Sequence, residues 1–261
     1  MLVAILPMAS AMPGMSSGTS TAFDPTLVAL SFVISVFGSL CGLQSARRAR
    51  SRTGGASIAW LAAAAISIGG GAIWSMHFIG MLAYHSDVTF SFDITRTLLS
   101  LVVAAVASGI GLYIASRGQQ SVLRFLGAGT ITGLGVAGMH YLGMSAMQMN
   151  ANLTYHGWVV AASLLIAVVA ASVALFFAFT ITRVWAMIAA SVVMAIGICG
   201  MHYTGMAAAI VTPKLDLAKL SSPGVNPLSL ALPVFGIASV LLFVLLFVGL
   251  FDDVDPSEPL A

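Results

Sequence analysis

Of 261 residues, 59% are hydrophobic and only 7% are charged, with a mean hydropathy of +1.05. A soluble domain has about a quarter of its residues charged, so this chain cannot cover a water-facing globular surface and must be an integral membrane protein. The net charge of +2 is too small for a nucleic-acid binder.

The apolar runs follow one another in chain order. Residues 1–25 form an outer arm with Met8, Met12 and Met15 among Ser, Gly and Pro. Its first eleven residues resemble a signal peptide but lack the basic start of one. Spans are expected at Thr26–Leu43, Ser57–Leu82, Leu98–Ala115, Phe125–Met147, Trp158–Thr180, Val184–Met206 and Leu230–Phe251. Each is near the ~20 residues that a helix needs to cross a bilayer. An acidic tail, 252–261, carries Asp252, Asp253, Asp255 and Glu258. No alternating ten-residue pattern suggests a barrel, so the expected fold is all-α, with seven transmembrane helices. The intervening polar stretches, Ala83–Thr97 and Gln148–Gly157, read as loops.

Orientation follows from the basic residues. Arg47, Arg48, Arg50, Arg52, Arg117, Arg124 and Arg183 lie in the loops after the first, third and fifth spans, and Arg96, Lys214 and Lys219 lie on the other side. The positive-inside rule therefore predicts an outer N-terminus and a cytoplasmic C-terminus in a bacterial inner membrane. Trp74, Tyr141, Tyr155, Trp158 and Tyr203 fall near the outer boundary, where amphipathic rings form a belt. Cys41 and Cys199 fall near opposite ends of their runs. A disulfide needs alpha carbons within about 7 Å, whereas the bilayer core is about 30 Å thick, so both are expected to be free thiols.

One heptapeptide recurs three times. It reads Ser75-Met76-His77-Phe78-Ile79-Gly80-Met81, then Gly138-Met139-His140-Tyr141-Leu142-Gly143-Met144, then Gly200-Met201-His202-Tyr203-Thr204-Gly205-Met206. The histidines are 63 and 62 residues apart, a period that signals internal repetition. Each copy ends a helix expected to run from inside to outside, preceded by one running back. The chain thus reads as three helical hairpins plus a seventh helix. Parallel hairpins about an axis normal to the membrane would bring the three imidazoles together.

Away from their ends, the spans contain no Asp, Glu, Lys or Arg. An ionisable group in the membrane is costly and marks a functional site by default. The plain alternative is a neutral histidine tying two helices together. His77 and Met81, His140 and Met144, and His202 and Met206 are i, i+4 pairs on one helix face. The glycine before each of these methionines allows close helix approach. Imidazole with thioether, and no carboxylate, suits copper best. Zinc gains little from thioether, and two-histidine haem ligation leaves the third histidine idle. The ligand set read from the sequence is therefore His77, His140 and His202, with Met81, Met144 and Met206 as weak axial ligands.

The motif resembles that of the MHYT-domain family of bacterial integral membrane sensors. Met201-His202-Tyr203-Thr204 matches the family motif letter for letter; Met139-His140-Tyr141-Leu142 departs at the fourth position, and Met76-His77-Phe78-Ile79 at the third and fourth. The resemblance implies several helices with the motif near the outer face. It also implies copper binding, detection of a diatomic gas such as oxygen, carbon monoxide or nitric oxide, and output to a cytoplasmic signalling partner or fused domain such as a diguanylate cyclase, phosphodiesterase or kinase. Phe78 lacks the phenol that a role for three tyrosines would require.

Weaker signals surround the motifs. His85 continues the face of His77 and Met81 if that helix runs one turn further. His156 lies near Met144, Met147 and Met149, and with Met8, Met12 and Met15 these residues could pass copper inward. Cys199 precedes His202 by three residues and so could face the site. The sequence contains no phosphate loop and no catalytic triad, so nothing marks it as an enzyme. Three functions compete: a metal-dependent sensor, a copper-handling or redox membrane protein, and a metal-free structural module. A transporter would need polar groups along a path through the bilayer. The inner halves of the spans offer few.

Overall fold

A computed structural model describes residues 22–85, 90–118 and 121–213, together with scattered positions between 224 and 247. The expected seventh span, Leu230–Phe251, falls mostly outside the described residues. The arm up to residue 21 and the tail 252–261 lie outside them entirely.

The chain opens with strand β1 (Ala22–Phe23), at the end of the expected arm, and helix α1 (Pro25–Arg50). The second rod is continuous over Gly54–Leu82, made of α2 (Gly54–Ala65), a π-helical stretch (Ile66–Trp74) and α3 (Ser75–Leu82). Strands β2 (Tyr84–His85) and β3 (Phe90–Phe92) lead to helices α4 (Ile94–Ser116) and α5 (Val122–Ser145). Strands β4 (Met147–Met149) and β5 (Ala151–Tyr155) follow, then α6 (Gly157–Thr180), α7 (Val184–Ala207) and strand β6 (Ala209–Pro213). Among the described residues, six helices are long and apolar enough to cross a membrane. The chain is a multi-pass membrane protein.

Strand β1 falls in the expected arm and the other five short strands in, or at the edge of, connections expected to be irregular, so the chain is mostly but not wholly helical. The strands pair antiparallel as β1 with β2, β3 with β4, and β5 with β6. The cause is the backbone. Where three helix ends and three helix starts meet at one face, their N–H and C=O groups need partners, and these ribbons supply them. Each ribbon is followed inward by one more bond of the same kind. Asp24 N–H donates to Ala83 O at 2.8 Å, Asp93 N–H to Ala146 O at 2.9 Å, and His156 N–H to Ala208 O at 2.9 Å. In all three cases the residue before a descending helix is tied to the residue after a motif helix. Asp24 and Asp93 also cap their helices with side-chain oxygens, accepting from Thr26 and Leu27, and from Arg96.

The helices show their buried faces through small and hydroxyl residues, not through hydrophobicity. On α1, Ser31, Ser35 and Ser39 are fully buried, while Val33 and Phe37 are exposed. In lipid the outward face is as apolar as the core, and small residues let the backbones approach. A Cβ on Gly38 would overlap the backbone of Ala72, one on Gly69 the backbone of Ala104, and one on Gly133 the backbone of Val168. At the far end, α1 runs on through the arginine cluster instead of stopping at Leu43. Arg47 and Arg50 there donate to Thr182 O at 3.1 Å and Ile181 O at 2.9 Å, joining it to the α6–α7 connection.

Two expectations change at the ribbon end. Trp74 is not a belt residue. It is buried, and its indole N–H donates to Ser100 Oγ at 3.0 Å and Thr97 O at 3.2 Å. His85 does not extend the His77 face, because α3 stops at Leu82 and His85 sits exposed in β2. Trp158 is exposed at the start of α6, as a boundary residue would be. Cys41 and Cys199 are both free.

Candidate metal centre

The three motif helices α3, α5 and α7 touch one another in the interior, and their histidines meet there. His77, His140 and His202 have no more than 1% of their surface exposed. His77 Nδ1 lies 3.0 Å from His202 Nδ1 and 3.1 Å from His140 Nδ1. The rings stand edge to face, with centroids 4.9, 5.0 and 5.2 Å apart. All three ligand atoms fall within 4.8 Å of one another, the sole cluster of this kind among the described residues.

Each ring is held by the helix of the next motif. A Cβ at Gly143 would strike His77 Nε2, one at Gly205 His140 Nε2, and one at Gly80 His202 Nε2. The motif glycine is thus the seat of a neighbouring imidazole. Sequence reasoning assigned it only to close helix approach, and the identity of the occupant is a tertiary fact.

The aromatic after each histidine also reaches to another hairpin. Tyr203 OH is 3.0 Å from Ser31 Oγ, and Tyr141 OH is 2.7 Å from Ser163 Oγ. Ser31, Ser100 and Ser163 each stand seven residues after Asp24, Asp93 and His156, the residues that precede their helices. Phe78 has no hydroxyl for Ser100. The Trp74 indole, tilted against Phe78 with centroids 5.0 Å apart, donates to that serine instead. The Phe78 departure is therefore compensated within the same helix. These serines escaped the sequence reading, although the repeated seven-residue offset is a signal for them, and Trp74 is expected from sequence only at the outer boundary. Nearby, burial and then the neighbouring Tyr141 push the Tyr155 phenol up to about 12, so it remains a neutral hydrogen-bonding group.

Three neutral imidazoles carry only three N–H groups. If His77 Nδ1 is protonated it can donate toward its neighbours, but their Nδ1 atoms then hold lone pairs and their protons sit on Nε2. His77, His140 and His202 Nε2 are all buried without a hydrogen-bond partner. No tautomer assignment satisfies every ring nitrogen, and each unsatisfied group costs about 1–3 kcal/mol. A central cation would take the three converging Nδ1 lone pairs at once, with the protons on Nε2. At about 2.0–2.1 Å from each nitrogen, an ion would hold them roughly 3.3–3.6 Å apart, slightly wider than the His77–His202 and His77–His140 separations here. The donor set fits a small metal ion.

The remaining expected residues divide. Met81, Met144 and Met206 are buried, and so are Met76, Met139 and Met201. His156 is exposed at the start of α6, and Met147 and Met149 are half-buried in β4. Met8, Met12 and Met15 lie outside the described residues. The described carboxylates, Asp24 and Asp93, cap helices.

Comparison with known proteins fits this picture. The MHYT family model, described as a bacterial signalling protein N-terminal repeat, matches residues 70–128 and 133–191. The first match opens in the π-helical stretch that leads into α3 and the second in α5, and each holds one motif histidine, His77 or His140. The bifunctional diguanylate cyclase/cyclic di-GMP phosphodiesterase MucR of Pseudomonas aeruginosa is 36% identical over 72% of this chain and 28% of its own length. The signaling protein YkoW of Bacillus subtilis is 34% identical over 72% of this chain and 24% of its own. The cyclic di-GMP phosphodiesterase NbdA of Pseudomonas aeruginosa is 34% identical over 80% of this chain and 26% of its own. The chain spans about a quarter of the length of these curated relatives. No solved structure matches it. The thrice-repeated histidine motif, the matched repeats and the signalling relatives lead to one assignment: the chain belongs to the MHYT family of bacterial signalling proteins.

Proposed function

We propose that this chain is a membrane sensor module that binds copper through His77, His140 and His202, with one or more of Met81, Met144 and Met206 as weak axial ligands. In this reading three hairpins and a seventh helix surround an axis normal to a bacterial inner membrane. The N-terminus and the site lie toward the outer face, and the C-terminus is cytoplasmic. The state of the ion, set by a diatomic gas or by redox poise, is read by a cytoplasmic signalling partner or fused domain. The relatives named for cyclic di-GMP enzymes support that kind of output.

The observation that carries the reading is the meeting of three Nδ1 atoms where the described residues place no carboxylate. Copper there would supply a one-electron couple and a soft, open coordination position. The protein's part is to orient the rings, through the glycine seats, and to keep bulk water away, through burial. Metal analysis of protein purified from copper-supplemented cells tests this directly. About one copper per chain is expected, with most of it lost in His140→Ala. Met144→Ala should shift the redox behaviour more than the occupancy. Absence of copper, or full retention in His140→Ala, makes the histidines a structural tie between helices.

A further inference from the structure

Below the histidines lies a cavity of about 50 Å³. Its lining includes Ile73, Val136 and Ile198, which each stand four residues before a motif histidine. Positions i and i−4 share a helix face, so all three motif helices turn the face that carries the imidazole toward this space one turn further from the ribbons. Met201, next to His202 in sequence, also lines it. Cavity and cluster are therefore neighbours along the same helix faces.

The cavity suits one class of occupant. An ordered buried water takes two to four polar partners. Here the Thr132 hydroxyl already donates to Ala128 O at 2.9 Å, which leaves Ser108 Oγ as the one lining hydroxyl without a partner. The other lining residues are apolar or glycine. Dry apolar cavities of about 150 Å³ take benzene or xenon, and one a third of that size takes a noble-gas atom or a molecule of two or three heavy atoms. We propose that this cavity binds small, uncharged, weakly polar molecules and supplies them to the histidine cluster from the membrane side. Of the lining residues, Ala170, Ala171 and Ala174 on α6 and Gly197 on α7 are half-buried and the rest are buried, so the cavity comes nearest the surface between α6 and α7, where such molecules would enter from the hydrocarbon. Binding stands independently of any ion, whereas the supply role rests on the proposed metal reading.

Xenon-pressurised crystals of the full chain test the proposal through anomalous density, with metal content measured on the same preparations. Wild-type protein should show xenon between Val136 and Ile198. Ser108→Ala should keep it, because the hydroxyl is not the anchor. Ala171→Leu should reduce occupancy at least about fivefold by filling the space, with copper content unchanged, and Ala174→Val serves if that variant does not fold. No xenon in wild type, loss in Ser108→Ala, or undiminished xenon in the filled variant overturns the proposal. Xenon bound in protein that carries no metal sustains the binding site and removes the supply role together with the metal reading.

Discussion

At the scale of single residues, the glycine seats and the aromatic–serine bonds hold the three rings. Gly143→Ala places a methyl where His77 Nε2 lies. Overpacking of this kind costs typically 1–3 kcal/mol, and here it must also turn the ring. Gly143→Ala is expected to lower the melting temperature and to weaken copper retention, whereas Gly127→Ala, which has open space around it, should do neither. Trp74→Phe removes the donor to Ser100 and Thr97 and should destabilise by about 1–2 kcal/mol. If Trp74 stands in for the phenol missing at position 78, then Phe78→Tyr in that background should recover most of the loss. Denaturation of the single and double variants in the same detergent measures the coupling. Additive losses would mean that Trp74 acts by packing alone.

The elements depend on how each helix begins and how its ribbon closes. Asp93 accepts from Arg96 N–H at 2.8 Å, and Asp93→Ala should cost about 1 kcal/mol, with Asp93→Asn close to neutral. Asp24 does the same for α1. The backbone N–H groups of Leu27 and then Thr26 hold its carboxyl below the usual value of 3.8. A carboxyl depressed on folding contributes stability that is complete above its unfolded pKa and is lost as the pH falls through the folded one. Melting curves should therefore show the full Asp24 contribution, with no pH dependence from it, between pH 5 and 8 and a decline below about pH 4. Asp24→Asn should flatten that acid limb. The π-helical stretch before α3 spans Gly69, Gly70 and Gly71, where a Cβ on Gly69 or Gly71 would meet Ala104 or Leu242. Close contacts on both flanks account for a departure from regular α-helix at that point.

For the whole molecule, the charge distribution and the bundle make separate claims. Of the described basic residues, all but Arg96 gather at the end opposite the ribbons, and Arg47 and Arg50 bond to the backbone there, so they brace the fold as well as bias its insertion. With an outer N-terminus and seven spans, an enzyme reporter fused after Phe251 should be active only in the cytoplasm. Activity only on the outer side would reverse the proposed topology or remove the seventh span.

Composition and spacing alone give the membrane class, the period of the repeat, the identity of the three buried histidines and the bounds of the six described spans to within about four residues, except that α1 runs seven residues past Leu43. Those features follow from composition and one-dimensional spacing, because a helix in lipid must close its own backbone bonds and a buried imidazole must have a reason to be there. How the helices face one another is set only by packing across the bundle. A continuous apolar run does not mark its inward face when lipid and core are equally apolar. Thus the seating of His77 on Gly143, the inward turn of Trp74 to Ser100, the end of α3 before His85 and the choice of Nδ1 as the converging atom depended on packing between segments far apart in the chain. The strands were hidden for a related reason. They are two to five residues long, and they exist because distant helix ends meet, which no local pattern records.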